Sequence, residues 1–242
     1  MMISRSLLAA RPLTLGVRRL SALIVAEHDG ARVSEGTLAA VTAAAPLGPV
    51  QLLVGGEGCK VVAEDAAAVA GVSSVVYAES AALSKGVAEE WTPVILAARE
   101  AGGHTHVVAA ASAFSKSVLP RVAAKLDVAK LSDVLEVKSP DSFVRPIYAG
   151  NALSTVTSVD EVKVLTVRPT VFEKAAREGG SADVQPLDSS PAVNMTTWIS
   201  EEVKKSDRPD LASAKTVRPR PIPEHVQTGA DALQPISLSH LP

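Results

Sequence analysis

The chain is poor in the residues that usually carry catalytic and structural chemistry. Its 242 residues include a single cysteine, Cys59, and only 3% are aromatic. One cysteine excludes an intramolecular disulfide. No apolar run is long and uninterrupted enough to span a bilayer, so we expect no membrane insertion. The G-x-S-x-G elbow and the S-x-x-K pair of common hydrolases are both missing. The sequence therefore predicts no catalytic residue and shows no hydrolase or transferase site.

Basic and acidic residues nearly cancel over the whole chain, but they are unevenly placed. Lysine and arginine total 24 and the acids 26, which gives a net charge of −2. No acid precedes Glu27, and the first 20 residues carry four arginines among leucine, alanine and serine: Arg5, Arg11, Arg18 and Arg19. This basic, acid-poor pattern predicts a mitochondrial targeting presequence over residues 1–20. The remainder is acidic and shows no nucleic-acid footprint.

Short apolar runs and helical patterns alternate from Ser21 to Lys130. The strands are predicted at 22–26, 50–54, 74–78 and 106–110, and the helices at 36–45, 59–70, 88–101 and from Ser112 onward. On the last helix an apolar stripe runs through Phe114, Val118, Val122 and Leu126. This alternation predicts an α/β fold with a doubly wound, mainly parallel sheet and right-handed crossovers.

The pattern changes after Lys130. Short strands are predicted at 133–138, 142–145, 152–158 and 162–167, with turn residues between them. We expect them to extend the sheet as antiparallel strands. Residues 177–192 indicate a loop of low hydrophobicity. Prolines recur from Thr216 to Pro242, which predicts a linker and disordered tail over residues 206–242.

Two short segments are candidates for binding. Ser112 sits where the strand 106–110 meets a helix, and Lys116 lies one turn in, so this turn is a possible anion or nucleotide site. The alternative is a capped helix packed on its strand. Arg145, Tyr148 and Asn151 combine a charge, an aromatic ring and a turn. They indicate either a subunit contact or a simple strand-turn-strand with Tyr148 packed and Asn151 left-handed.

His104 and His106 form an H-x-H pair at the start of a strand, where alternate side chains share a face. Two imidazoles can ligate zinc, but no third ligand of suitable spacing follows. We therefore expect these histidines to be strand-edge residues, and the sequence predicts no metal site.

Several long blocks resemble one protein family in the family's order. The blocks ASAFSKSVLPRVAAKL, FVRPIYAGNAL and SDRPDL are similar to the α subunit of electron transfer flavoprotein, from about Ser21 to about Lys215. The resemblance implies a nucleotide-alpha-hydrolase-like domain I over residues 21–205. In the family, a sequence like LASAK continues into a second domain that holds FAD, and the divergent stretch from Thr216 does not match it. We therefore expect no FAD site in this chain and no cofactor bound by it alone.

The resemblance also implies a function. The family carries electrons from acyl-CoA and other dehydrogenases of fatty acid beta-oxidation to a ubiquinone oxidoreductase, through FAD, in the mitochondrial matrix. Its α subunit pairs with a β subunit as a heterodimer. One hypothesis is thus a truncated electron-carrier subunit, and a second is a structural partner that docks on the β subunit through residues 106–156. A stand-alone adenine-nucleotide module at Ser112 and a non-functional splice or gene-model product remain alternatives. The family favours the capped helix at Ser112, because the α domain is a scaffold whereas the β subunit carries AMP.

Overall fold

The computed structural model describes residues 20–188, 193, 195, 196 and 198–200. The chain divides after Trp198 into two units, and all of the strands and helices named here lie in the first unit. The predicted presequence lies outside the described residues apart from Leu20. The predicted linker and disordered tail over 206–242 lie wholly outside them.

Ten strands form two sheets in the described part of the chain. In chain order they are β1 Ala22–Val25, β2 Val50–Gly56, β3 Val72–Glu79, β4 His106–Ala110, β5 Lys130–Val134, β6 Glu136–Ser139, β7 Ser142–Ile147, β8 Ala152–Thr157, β9 Lys163–Val167 and β10 Asp183–Pro186. The main sheet has the order β10-β3-β2-β1-β4-β9-β5, and each of its pairings is parallel. The second sheet, β6-β7-β8, is antiparallel. The predicted α/β class, with a mainly parallel sheet and added antiparallel strands, is confirmed.

Four helices cover the two faces of the main sheet. They are α1 Glu35–Ala44, α2 Lys60–Ala67, α3 Ala88–Gly102 and α4 Ala113–Leu126. Strand β1 shows why both faces need covering, because its side chains alternate between two apolar clusters. Ala22 and Ile24 belong to the cluster under α1 and α2, and Leu23 and Val25 to the cluster under α3 and α4. The sheet is therefore doubly wound. No helix of the described chain has both the length and the apolar character needed to cross a membrane.

Helix α4 begins and packs as its sequence predicts. The Ser112 hydroxyl accepts the backbone N–H of Ser115, and the Ser115 hydroxyl accepts that of Ser112, which completes a capping box. Val118 and Val122 are fully buried, with the other two members of the stripe packed beside them. The helix ends at Asp127, whose backbone is left-handed with φ 55°.

The expectation that the later strands extend the sheet as antiparallel strands is wrong. The predicted strand 133–138 is two strands, β5 and β6, which belong to different sheets. Asp133 has φ 55°, and the register of β5 shifts there, so the chain turns out of the main sheet. Strands β6 to β8 then form their own sheet, whose Phe143 is buried in the main core. Strand β9 returns to the main sheet beside β4 as a parallel strand.

The predicted loop over residues 177–192 also contains a strand. Residues of β10 pair in parallel with β3 at the edge of the main sheet. The backbone N–H groups of Gly180 and Ala182, just before it, donate to carbonyls at the end of α2. Pro186 is tolerated because an edge strand has one row of unpaired backbone groups. Sequence patterning misses the strand because only Val184 packs against the core.

Candidate functional site

The strand order places a crevice between β1 and β4. Strand β1 pairs with β2 on one side and with β4 on the other, so the chain order reverses here. In open α/β sheets, ligands bind outside the carboxyl ends of the strands at such a point. Glu27 and His28 follow β1 at that edge, and Ser112 follows β4. These are the side chains that a ligand in the crevice would meet.

A hydrogen bond spans the crevice. The Ser112 hydroxyl donates to Oε1 of Glu27 at 2.6 Å. Burial raises the pKa of the Glu27 carboxyl, and the bond from Ser112 lowers it in part. The N-terminus of α4 and its serine cap together stabilise a negative charge at this point. The turn at Ser112, which the sequence predicts as an anion site, is thus next to the Glu27 carboxylate.

The predicted anion or nucleotide turn at Ser112 and Lys116 stays a prediction, and this geometry weighs against it. The Ser112 hydroxyl is engaged by both the helix cap and Glu27. The side chain of Lys116 is exposed. A phosphate at the helix terminus would face the Glu27 carboxylate, and like charges at close range repel. Sequence reasoning gave Glu27 no role, since nothing in the local pattern shows that it crosses to Ser112.

A cavity of about 200 Å³ lies beside Glu27. Its apolar wall is made by Leu83, Trp91 and Phe114, and Ser84 adds a hydroxyl. The two aromatic rings meet edge to face, with centroids 5.0 Å apart. The Trp91 indole N–H donates to the carbonyl of Leu83 at 3.0 Å, which fixes the ring. The wall is therefore rigid.

Gly55 and the His28 ring complete the cavity. Its floor includes Gly55, and a Cβ added there would lie 2.7 Å from Cη2 of Trp91, so only glycine fits under the ring. The His28 ring lies at the rim, where Gly30 N–H donates to Nδ1 at 3.1 Å. Its Nε2 lies 2.9 Å from the Gly55 carbonyl, which can only accept, so Nε2 is the donor of that bond.

The predicted subunit-contact residues lie on and beside the second sheet. Tyr148 is 79% exposed, with φ 49°, and Leu153 on β8 is 66% exposed. Nε of Arg145 is buried and has no hydrogen-bond partner among the described residues. Two details of the strand-turn-strand alternative are wrong. Tyr148 is not packed, and Asn151 has φ −71°, because Tyr148 and the two residues after it take the left-handed conformations instead.

His104 and His106 both make hydrogen bonds within the fold. His104 bridges Ser21 Oγ and Gln51 Oε1, and His106 Nε2 lies 2.7 Å from the carbonyl of Pro140 in the β6–β7 turn. Both rings are buried. Among the described residues, no three metal-ligating side chains cluster in a way that could hold a metal ion.

Comparison with known proteins identifies the family. A family model for the electron transfer flavoprotein domain matches residues 22–192. The chain belongs to the electron transfer flavoprotein family.

Relatives named electron transfer flavoprotein subunit alpha match over most of this chain. That of Pseudomonas aeruginosa is 45% identical over 199 residues, covering 82% of this chain and 64% of its own length. The probable mitochondrial subunit of Caenorhabditis elegans is 44% identical over 220 residues, covering 90% and 66%. The mitochondrial subunit of Dictyostelium discoideum is 42% identical over 210 residues, covering 81% and 59%. The chain thus spans between 59% and 66% of the length of these curated relatives.

Both candidate regions fall inside the matched electron transfer flavoprotein domain. The crevice at Glu27 and Ser112 lies at the carboxyl edge of its main sheet, and the exposed residues around Tyr148 lie on its second sheet. In the first region the Ser112 hydroxyl is paired with Oε1 of Glu27. The second leaves an aromatic side chain in solvent and an arginine nitrogen unpaired.

Proposed function

We propose that this chain supplies the N-terminal domain, residues 21–205, of an electron transfer flavoprotein α subunit in the mitochondrial matrix. The family match, the α-subunit relatives and the doubly wound fold support this assignment. Mitochondrial relatives and the basic presequence pattern support the location. The assembled protein would carry electrons from acyl-CoA and other dehydrogenases to the ubiquinone oxidoreductase through FAD.

The role of this domain in the proposal is to dock on the β subunit as a scaffold. The observation that carries it is the surface of the second sheet, where Tyr148 and Leu153 expose most of their side chains. Aromatic and arginine residues are enriched at protein interfaces, and tyrosine is a frequent hot spot.

The proposal assigns no FAD to the described domain. FAD is larger than a drug-sized ligand, and such ligands fill pockets of roughly 300–1,000 Å³. The cavity beside Trp91 measures about 200 Å³, and a neighbouring cavity at Glu27, His28 and Arg177 about 390 Å³, so one lies below that range and the other near its lower end. Glu27 lines both cavities, and its carboxylate would repel a pyrophosphate. The electron-carrying flavin is therefore proposed to lie elsewhere in the assembled protein.

Co-expression with an electron transfer flavoprotein β subunit tests the docking role. A tagged β subunit should retain this chain, and the double substitution Tyr148→Ser with Leu153→Ser should weaken the complex by about tenfold or more, as expected for an interface anchor. Val61→Ser is the matched control, because Val61 is 62% exposed on α2, away from the second sheet. Equal weakening by the control, or no effect of the double substitution, would contradict the proposed surface.

A further inference from the structure

The cavity beside Glu27 has a shape set by fixed groups. Trp91 is held by its hydrogen bond to Leu83 and by its edge-to-face contact with Phe114. Gly55 closes the floor directly under the indole ring. A cavity of about 200 Å³ with such walls is smaller than the pockets that hold drug-sized ligands. It admits a single ring rather than a nucleotide.

The polar side of the cavity has one sign of charge. Glu27 lines it, and neither lysine nor arginine does. Oε1 of Glu27 accepts from Ser112, whereas Oε2 accepts no hydrogen bond from any residue in the described part of the chain. The His28 ring at the rim is engaged at both nitrogens, with Nε2–H directed to the Gly55 carbonyl and Nδ1 accepting from the Gly30 N–H. A carboxylate with a free oxygen therefore lines the same cavity as the apolar wall.

This combination selects a chemical class of ligand. We infer that the cavity binds a small organic cation, an amidinium or guanidinium attached to one ring, that donates to Glu27 and packs its ring against the apolar wall of Leu83, Trp91 and Phe114. Planar cations donate to carboxylates with charge-assisted bonds, which are about twice as strong as neutral ones. The site is separate from the docking surface and does not depend on it.

The same features exclude the opposite charge. An aromatic carboxylate of equal size would bring a second negative charge to Glu27 with no lining cation to neutralise it. A nucleotide would meet the same repulsion through its phosphate and is also too large for the cavity. Charge and size together therefore distinguish the inferred ligand from the adenine nucleotide that the turn at Ser112 suggests.

Benzamidine and benzoate are matched probes, because they share a ring and differ in the sign of the attached group. Each is titrated into the full 242-residue chain and followed by ligand-observed NMR. Benzamidine should bind saturably and benzoate should not, and AMP should give no binding heat in calorimetry. Saturable benzoate or AMP binding, or the absence of benzamidine binding, overturns the inference. This comparison needs no substitution and so cannot fail through misfolding.

A charge-neutral variant then locates the site. Glu27→Gln keeps the shape and removes the charge, and it should weaken benzamidine binding about tenfold or more, since a charge-assisted bond becomes a neutral one. Glu64→Gln is the matched control on the exposed side of α2, away from the cavity, and should leave the affinity unchanged. If both variants bind alike, or if only Glu64→Gln weakens binding, Glu27 is not the recognition group and the inference fails.

Discussion

His106 ties the second sheet to the first, and its charge state should control the stability of the domain. The ring is fully buried. The Pro140 carbonyl, 2.7 Å from Nε2, can only accept, so Nε2 carries the proton, and the Thr105 hydroxyl oxygen lies 2.9 Å from Nδ1. Phe143 of the second sheet meets the ring edge to face. Burial is the largest cause that lowers the pKa of His106, and the nearby Lys163 lowers it further. The fold therefore holds the ring neutral.

The sign of the pH effect follows from that pKa. In the unfolded chain this histidine becomes protonated below about pH 6.5. In the folded chain its lowered pKa keeps it neutral to a lower pH. The unfolded state thus binds more protons, and the free energy of unfolding falls as the pH drops below that value. Each proton that only the unfolded state binds lowers the free energy of unfolding by about 1.4 kcal/mol per pH unit. Burial also lowers the pKa of His104, so the two rings act in the same direction. The raised pKa of Glu27 acts in the opposite one, because its stabilisation is lost as the pH rises.

A substitution separates His106 from the other titrating groups. His106→Gln keeps a donor for the Pro140 carbonyl but cannot titrate. Its cost at neutral pH should be about 1–3 kcal/mol, because a buried polar group is left imperfectly paired. Urea unfolding followed by circular dichroism, at about pH 7.5 and about pH 5.5, gives the change in the free energy of unfolding with pH. The variant should lose less stability on acidification than the unmutated chain, by up to about 1.4 kcal/mol. An unchanged slope would refute the buried neutral histidine.

Two further substitutions test the crevice. Gly55→Ala should cost about 1–3 kcal/mol of stability through overpacking against Trp91, measured by urea unfolding. The cost should shrink when combined with Trp91→Phe, and purely additive effects would contradict the clash. Ser112→Ala should cost about 0.5–2 kcal/mol through the lost helix cap. It should also raise the pKa of Glu27 further, and an NMR titration in which that pKa does not move would contradict the shared hydrogen bond.

Local patterns predicted the parts of the fold that depend on local physics. The apolar run of β1 and the apolar stripe of α4 predict which residues are buried, and Ser112 predicts where the helix begins because serine is a preferred helix cap. The split between β5 and β6 was missed because it depends on a backbone turn at Asp133, whose side chain gives no clear signal. Strand β10 was missed because a half-exposed edge strand needs little apolar patterning.

The crevice was only half predictable for a similar reason. Ser112 is visible because a serine between a buried strand and a helix has a known capping role. Glu27 is not, since its contact with Ser112 joins positions 85 residues apart and follows from the placement of β1 beside β4. The cavity likewise depends on Gly55 and Trp91 from separate elements. Long-range pairing of this kind is set by topology, which sequence periodicity does not contain.

The visible absorption spectrum of the purified chain tests the central claim most directly. The chain is expressed alone and with an electron transfer flavoprotein β subunit, and gel filtration removes loosely held flavin. We expect the chain alone to be colourless and to elute with the β subunit when both are present. A yellow chain that keeps stoichiometric flavin through gel filtration in the absence of the β subunit would contradict the proposal that this domain is a scaffold without its own FAD.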